Sequence, residues 1–336
     1  MSASSAQLST AVALFLYRRP DRTRKVFERI RGARPERLFL IADGPRPESP
    51  EDRRGCELAR AVVEDVNWPC EVTRIYADEN IGLRLRIPTG IDEVFSSVDR
   101  AILLEDDCLP DPSFFPFCDE MLRRYADDER VMHVAGSQLL SPAPAREASY
   151  HFSRYPHIWG WGSWRRAWAA YDVDLADWHR LGRRQRDARV AEMFDDESER
   201  RHWRYVWDGA REIENWDGQW SYALLDRGGL AVNPNANLVS NIGFGEVATN
   251  AVEDPFGIAG RPLEGIQFPL RHPETVAADA EADARASRFF RRGQAPRPPL
   301  RARVRHRVLR AGDRALDFVP EPVRPKTRHR DGEARR

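Results

Sequence analysis

At residues 101–107 the chain reads Ala-Ile-Leu-Leu-Glu-Asp-Asp, four apolar residues running into three consecutive carboxylates. A buried strand that stops at an acidic cluster sets those carboxylates at the carboxyl edge of a sheet, where open α/β sheets keep their ligand crevices. Adjacent acids repel one another and cost stability unless something positive sits among them. A hard divalent cation meets that need. One carboxylate of Glu105-Asp106-Asp107 can hold Mg2+ or Mn2+ against a diphosphate, while a neighbour accepts hydrogen bonds from ribose hydroxyls. The ordinary alternative is a solvated acidic turn.

Two further runs bring chemistry-bearing residues to the same edge. Tyr17-Arg18-Arg19 follows the apolar residues 11–16, and Asp43-Gly44 follows residues 37–42 (RLFLIA). Arg18 or Arg19 can face a phosphate or a base, and Asp43 can accept from a base or a ribose. A surface arginine pair and an Asp-Gly turn are the plain readings, but convergence on one edge favours joint function. Farther along, Asp217 stands in Glu214-Asn215-Trp216-Asp217-Gly218-Gln219-Trp220. A carboxylate among indoles is poorly solvated, which raises its basicity and suits a general base. Glu214 is the reserve base, and Asp217 can equally cap the helix that follows. Nine of the ten tryptophans fall between residues 159 and 220, in glycine-interrupted stretches such as Trp159-Gly160-Trp161-Gly162-Ser163-Trp164. Most are core material, yet an indole face also stacks on sugar rings. Trp161 and Trp164 are the candidates for acceptor contact.

These residues need a scaffold, and the pattern supplies one. Residues 11–17, 37–42, 71–76, 101–104 and 131–135 read as strands. Helices alternate with them: one opening at Pro20, one capped by Ser49, one over residues 82–98 that Pro88 delays or kinks, and one after Asp111-Pro112. Strands alternating with helices predict a mostly parallel sheet covered on both faces. Beyond His272 the chain turns Ala/Asp/Glu-rich and then Arg/Pro-rich, and reads as a tail.

Basic and acidic residues balance at 53 each, which removes any overall signature for binding nucleic acid. The balance conceals a segment, 291–336, with 15 basic and 5 acidic residues. Its prolines favour a disordered extension; the alternative is a basic amphipathic helix in peripheral contact with an anionic membrane. Cys56, Cys70, Cys108 and Cys118 lack metal-ligand spacing and read as reduced thiols. Residues 1–10 carry no leader pattern, and no apolar run reaches the roughly 20 residues of a membrane span. A cytoplasmic location, or a peripheral one at the inner face of the membrane, is expected.

Together these residues resemble a glycosyltransferase of the GT-A fold. Leu104-Glu105-Asp106-Asp107 followed by Pro110-Asp111-Pro112-Ser113-Phe114-Phe115 is similar to the DxD-type metal motif and its helix, in the Glu-Asp-Asp form of the N-acetylglucosaminyltransferase I family. Asp128-Glu129-Arg130-Val131, Trp159-Gly160-Trp161 and Trp216-Asp217 follow in that family's order, and residues 17–23 resemble its nucleotide-binding first turn. Bacterial family 2-like glycosyltransferases are the broader likeness, over residues 10–250. The resemblance implies a Rossmann-like α/β sheet with an aromatic-rich acceptor side. It implies residues 1–10 as a flexible N-terminus, 11–110 as a nucleotide-sugar-binding half, 111–272 as an acceptor-binding, catalytic half, and 273–336 as the tail. It further implies Asp107 as metal ligand, with Glu105 and Asp106 on ribose or metal-bound water. Tyr17, Arg18, Arg19 and Asp43 would serve the nucleotide, and Asp217 would be the base of an inverting transfer. The donor would be a nucleotide sugar, a UDP-sugar foremost, and the acceptor a carbohydrate or lipid-linked glycan, as in surface polysaccharide synthesis. Residues 240–250 contain no histidine, so phosphates and water would complete the metal shell. Two other classes compete: a sugar-phosphate nucleotidyltransferase, whose glycine-rich first loop Tyr17-Arg18-Arg19-Pro20 lacks, and a non-catalytic carbohydrate-binding protein.

Overall fold

The computed structural model describes residues 7–140, 147–244 and 260–292. Its first half alternates as the pattern predicts: β1 (Ala11–Leu16), α1 (Pro20–Ala33), β2 (Arg37–Ala42), α2 (Pro50–Val62), β3 (Glu71–Tyr76), α3 (Leu83–Ser97), β4 (Arg100–Glu105), β5 (Cys108–Pro110), α4 (Phe114–Arg124) and β6 (Val131–Ala135). There follow β7 (Tyr150–Ser153), β8 (Trp161–Trp164), α5 (Arg165–Trp168), α6 (Ala176–Arg180), α7 (Arg183–Met193), α8 (Glu197–Asp208), α9 (Asp217–Asp226), β9 (Leu230–Pro234), β10 (Val239–Asn241) and α10 (Ala280–Arg292).

Eight strands make one sheet in the order β3-β2-β1-β4-β8-β6-β9-β7, and β5 pairs with β10 in a separate antiparallel ribbon. Four of the seven neighbouring pairs are parallel. The antiparallel pairs arise where β8 inserts between β4 and β6, and where β7 closes the edge. The fold is therefore mixed α/β with a mostly parallel central sheet flanked by helices. Strands from both sides of residue 110 share that sheet, so the two expected halves are parts of one layer.

Burial on both faces explains why β1 is apolar throughout and why β2 and β4 are apolar between their ends. Val12, Leu14, Leu40, Ile102 and Leu104 enter one core with Val26, Phe27 and Ile30 of α1 and the phenylalanines of α4. Their neighbours Ala13, Phe15, Ile41 and Leu103 enter the opposite core with Ile87, Ile91 and Val94 of α3 and with Trp220 of α9. A strand buried on both faces has no polar position to spare until it leaves the sheet. The carboxylates of β4 accordingly appear only at its end.

Two elements differ from the expectation. α3 begins at Leu83 and carries Pro88 inside it, because its N-cap Gly82 adopts φ +81 and the backbone turns into the helix there rather than at the proline. The tail expected from residue 273 begins instead as a docked segment. Asp283 of α10 accepts from Ser153 Oγ (2.6 Å) and from Arg154 Nε (3.2 Å), and Ala282 and Ala286 are buried. Their small side chains let the helix lie close, a signal that an Ala/Asp/Glu-rich composition hides. Residues 293–336, and with them the membrane-contact expectation, lie outside the described residues. No helix among the described residues is long and apolar enough to cross a membrane.

Candidate active site

Parallel register brings the strand ends together. Leu16 of β1 pairs with Ala42 of β2, and Phe15 pairs with Glu105 of β4, so the turns after all three strands open side by side. A cavity of about 880 Å3 lies at that edge. Its walls include Tyr17, Arg18, Arg19, Asp43, Glu105, Asp106, Asp107, Glu214 and Asp217, nine of the eleven residues singled out from the sequence.

Within the acidic run the three side chains have separate environments. Asp106 is 1% exposed and accepts from the Tyr17 backbone N–H (3.2 Å) and from Arg19. It ties the β1–α1 turn to the end of β4 rather than offering a free acceptor to a ribose. Asp107 is half-buried, and its Oδ2 accepts from Arg19 Nη1 at 2.8 Å. Glu105 makes no side-chain hydrogen bond among the described residues. Burial, and after it the charge of Asp107, pushes its carboxyl up to about 8; Asp217 adds to the rise, so Asp217 lies within electrostatic reach of Glu105. Burial also raises Asp106, against the opposing pull of Arg19. The ribbon of β5 and β10 closes the floor. Ile242 N–H donates to the Asp107 carbonyl (2.8 Å), and a Cβ at Gly243 would meet the Asp107 carboxylate and force it to shift.

Asp43 is placed as expected but is already engaged. Its two oxygens accept from the backbone N–H groups of Gly44, Ile81 and Gly82 and from Asn80 Nδ2, all within 3.1 Å. Asp43 therefore shapes the β3–α3 loop that walls the cavity, and its acceptor capacity is full before any nucleotide arrives. Arg18 and Tyr17 behave likewise. Arg18 Nη1 and the Tyr17 hydroxyl each donate to the fully buried Asp52 at 2.8 Å, and Arg46 joins them on the same carboxylate. Hydrogen bonding from Arg46 outweighs burial and holds the Asp52 carboxyl well below its usual range.

On the far wall Asp217 is the first residue of α9, with Trp216 at the N-cap. Its side chain is half-buried against the cavity, and desolvation raises its pKa although Asn215 and the helix N–H groups pull the other way. The Trp216 ring stacks on Trp161 at 5.8 Å, and Tyr171 Oη donates to the Trp216 carbonyl (3.2 Å). Glu214 is turned to another task. Its Oε1 accepts the Arg84 backbone N–H (3.1 Å), so it caps α3 from across the loop and is poorly placed as a reserve base.

Trp161 and Trp164 are not acceptor contacts. Each is 3% exposed, on opposite faces of β8. Trp161 is enclosed by His133, Trp168, Trp216 and Trp220, and Trp164 donates its indole N–H to the Leu122 carbonyl (3.0 Å) beneath the guanidinium of Arg166. The layers packed on the two faces of β8, α4 over Trp164 and the indoles of Trp168, Trp216 and Trp220 over Trp161, bury both. The aromatic wall is instead Trp159 and Phe244, partly exposed, edge to face at 5.7 Å. Trp159 precedes the strand, a distinction that pattern-reading across Trp159-Gly160-Trp161 did not make. Arg46 and Arg86 were also missed. Arg86 lies one turn into α3; its Nε is buried without a hydrogen-bond partner, and desolvation lowers its pKa. An unpaired guanidinium on a cavity wall is suited to an anion.

The lining thus carries six carboxyl groups and four guanidiniums. Among the described residues no three His, Cys, Asp or Glu side chains are arranged to hold a metal by themselves. Asp107 is one of several carboxylates on the cavity, and a hard cation held there would have to draw its remaining ligands from phosphate and water.

No protein-family model matches the chain, and no curated protein does. Among solved structures the chain is similar to 4-diphosphocytidyl-2C-methyl-D-erythritol synthase from Anaerococcus prevotii (8% identity, 48% of this chain and 74% of that one, TM-score 0.32). It is also similar to a cytidylyltransferase from Leptospira borgpetersenii (12% identity, 62% and 74%, TM-score 0.30). A third is a UDP-glucose pyrophosphorylase complexed with UDP-glucose (13% identity, 43% and 62%, TM-score 0.24). Likeness at this level assigns no activity.

Proposed function

We propose that this chain is a glycosyltransferase that moves a sugar from a nucleoside-diphosphate donor to a hydroxyl acceptor with inversion. The observation that carries this reading is the placement of Asp217, at the start of α9, in the same cavity as the acidic end of β4. A carboxylate lifted in pKa by burial faces a diphosphate-sized space lined with arginines, which is the arrangement an acceptor-activating base requires.

In this mechanism the diphosphate lies between Arg19 and Arg86, and the acceptor hydroxyl reaches Asp217. Asp217 takes the hydroxyl proton as the oxygen attacks C1 of the donor sugar. The C1–O bond to the diphosphate breaks from the opposite side, and Arg19 and Arg86 receive the developing charge. Asp107 would hold Mn2+ or Mg2+, which when bound supplies Lewis-acid neutralisation of the leaving diphosphate. Trp159 offers an indole face to a sugar ring. The donor base, with UDP foremost, and the carbohydrate or lipid-linked glycan acceptor belong to the same proposal.

Arg19 and Arg86 on one cavity can equally face the phosphates of a triphosphate, which supports a second reading as a sugar-phosphate nucleotidyltransferase. One experiment separates the two. Purified protein is incubated with Mn2+ and either a UDP-sugar panel plus a panel of carbohydrate acceptors or nucleoside triphosphates plus sugar phosphates, and products are followed by mass spectrometry. An acceptor that gains the mass of the sugar as nucleoside diphosphate is released supports transfer; pyrophosphate release from the triphosphate with formation of a sugar nucleotide overturns it in favour of nucleotidyl transfer.

A further inference from the structure

Arg19 stands where a cation would be most useful. Its guanidinium donates through Nη1 to Asp107 and through Nη2 to Asp106, and its Nε is buried with no hydrogen-bond partner. The side chain is 14% exposed, so this is a desolvated bridge rather than a surface pair. Its backbone is fixed as well, because its carbonyl accepts from the N–H groups of Arg22 and Thr23 at the start of α1.

The two arms of the bridge are unequal. Asp106 is buried and also held by the Tyr17 N–H, so that arm belongs to the fold. Asp107 faces the cavity with its side chain as exposed as that of Arg19, and among the described residues Arg19 is the basic side chain paired with it. That arm is exchangeable. A guanidinium that spends one donor on Asp107 and leaves Nε unsatisfied gains by turning donors toward a phosphate, since charge-assisted bonds to phosphate replace one and complete the other.

We infer that Arg19 is a latch that keeps Asp107 from binding a divalent cation until a diphosphate enters the cavity and draws Arg19 away. Cation and nucleotide then bind cooperatively, each favouring the state the other needs. The inference rests on the glycosyltransferase reading for the identity of the anion, a nucleoside diphosphate, and not for the behaviour of the cation alone.

The test is Mn2+ binding followed by electron paramagnetic resonance on the full chain, without and with UDP. Without nucleotide, Arg19→Gln should bind Mn2+ about tenfold more tightly than wild type, because Asp107 is released. Adding Asp107→Asn to Arg19→Gln should abolish that gain, which locates the ion. In wild type, saturating UDP should raise Mn2+ affinity by about tenfold, and in Arg19→Gln by much less. Arg19→Lys covers the case in which the glutamine variant misfolds: an ammonium cannot bridge two carboxylates as a planar guanidinium does, so its Mn2+ affinity should fall between. Equal nucleotide-free affinity for wild type and a folded Arg19 variant overturns the latch. Failure of every nucleoside diphosphate to bind overturns the glycosyltransferase reading and leaves the nucleotide-free comparison standing.

Discussion

Asp217 and Asp107 divide the labour of the proposed reaction, and single substitutions can separate them. Asp217→Asn keeps size and the helix start but removes the proton acceptor. Transfer should fall by about 10²–10⁴-fold while nucleotide affinity stays unchanged. Normal turnover by this variant would remove Asp217 from the mechanism. The wild-type rate should decline as pH drops through the raised Asp217 pKa, because only the ionised carboxylate accepts a proton; the acid limb should therefore lie above the ordinary carboxylate range. Trp159 and Trp161, two residues apart, should respond in opposite ways. Trp159→Ala should raise the KM for a sugar substrate with little effect on melting temperature. Trp161→Ala, which removes the ring beneath Trp216, should cost about 3–5 kcal/mol in denaturant unfolding. The tryptophan cluster was legible as a cluster. Which indole faces the cavity was not, because exposure depends on the layer of Trp168, Trp216 and Trp220 that covers Trp161.

At the scale of elements, the loop between β3 and α3 joins the two sides of the site. Asp43 holds its inner side through Ile81 and Gly82, and Glu214 holds its outer side through the first turn of α3. Arg84 extends this joint, with its guanidinium on the carbonyls of Ala210 (3.1 Å) and Val173 (3.2 Å) and on Asp174. Gly82 can occupy the middle because it has φ +81 and no Cβ to strike Glu214. Gly82→Ala should destabilise the protein by at least about 1 kcal/mol and weaken nucleotide binding, as judged by thermal shift with and without UDP. Glu214→Gln should lower stability by about 0.5 kcal/mol, as loss of a charge at a helix N-terminus does, and leave transfer within a few-fold of wild type. A loss as large as that of Asp217→Asn would restore Glu214 as a base. The helix itself was readable from residues 82–98, and the Asp43 turn from Asp-Gly. Their joint was not, since Asp43 and Glu214 lie 171 positions apart in the chain.

Across the whole molecule, two histidines that no sequence pattern marked bind the sheet to the segment that enters β8. His133 Nε2 lies 3.0 Å from the His157 carbonyl, and its Nδ1 accepts from Trp220 Nε1 (3.2 Å), which assigns the Nε2–H tautomer. His157 Nδ1 lies 2.9 Å from the Ser137 carbonyl. Burial lowers the pKa of both, His133 to about 3 and His157 to about 4. Each is therefore neutral in the folded chain, and a histidine in the unfolded chain binds a proton below about pH 6.5. Stability from this pair should be complete above that pH and be lost as pH falls toward about 4, at up to roughly 1.4 kcal/mol per unit per histidine. Melting temperature measured between about pH 7 and 5 should drop on the order of 10 °C, and His157→Asn, which keeps an N–H near Nδ1, should flatten that slope. A wild-type melting temperature independent of pH over this range would refute the buried neutral pair.

By itself the sequence determined the strand–helix alternation and the strand ends at which acids and arginines emerge. Both follow from local rules: a strand buried on two faces must be apolar until it leaves the sheet, and polar chemistry collects where it does. Only the tertiary structure decided what those residues can still do. Parallel register brought Tyr17, Asp43 and Glu105 to one edge, but long-range partners then used up Asp43 and Asp106, turned Glu214 into a cap, and hid Trp161 and Trp164. Those partners come from other turns, helices and strands. Hydrogen-bond capacity and solvent access are set by neighbours in space, and only folding assembles them.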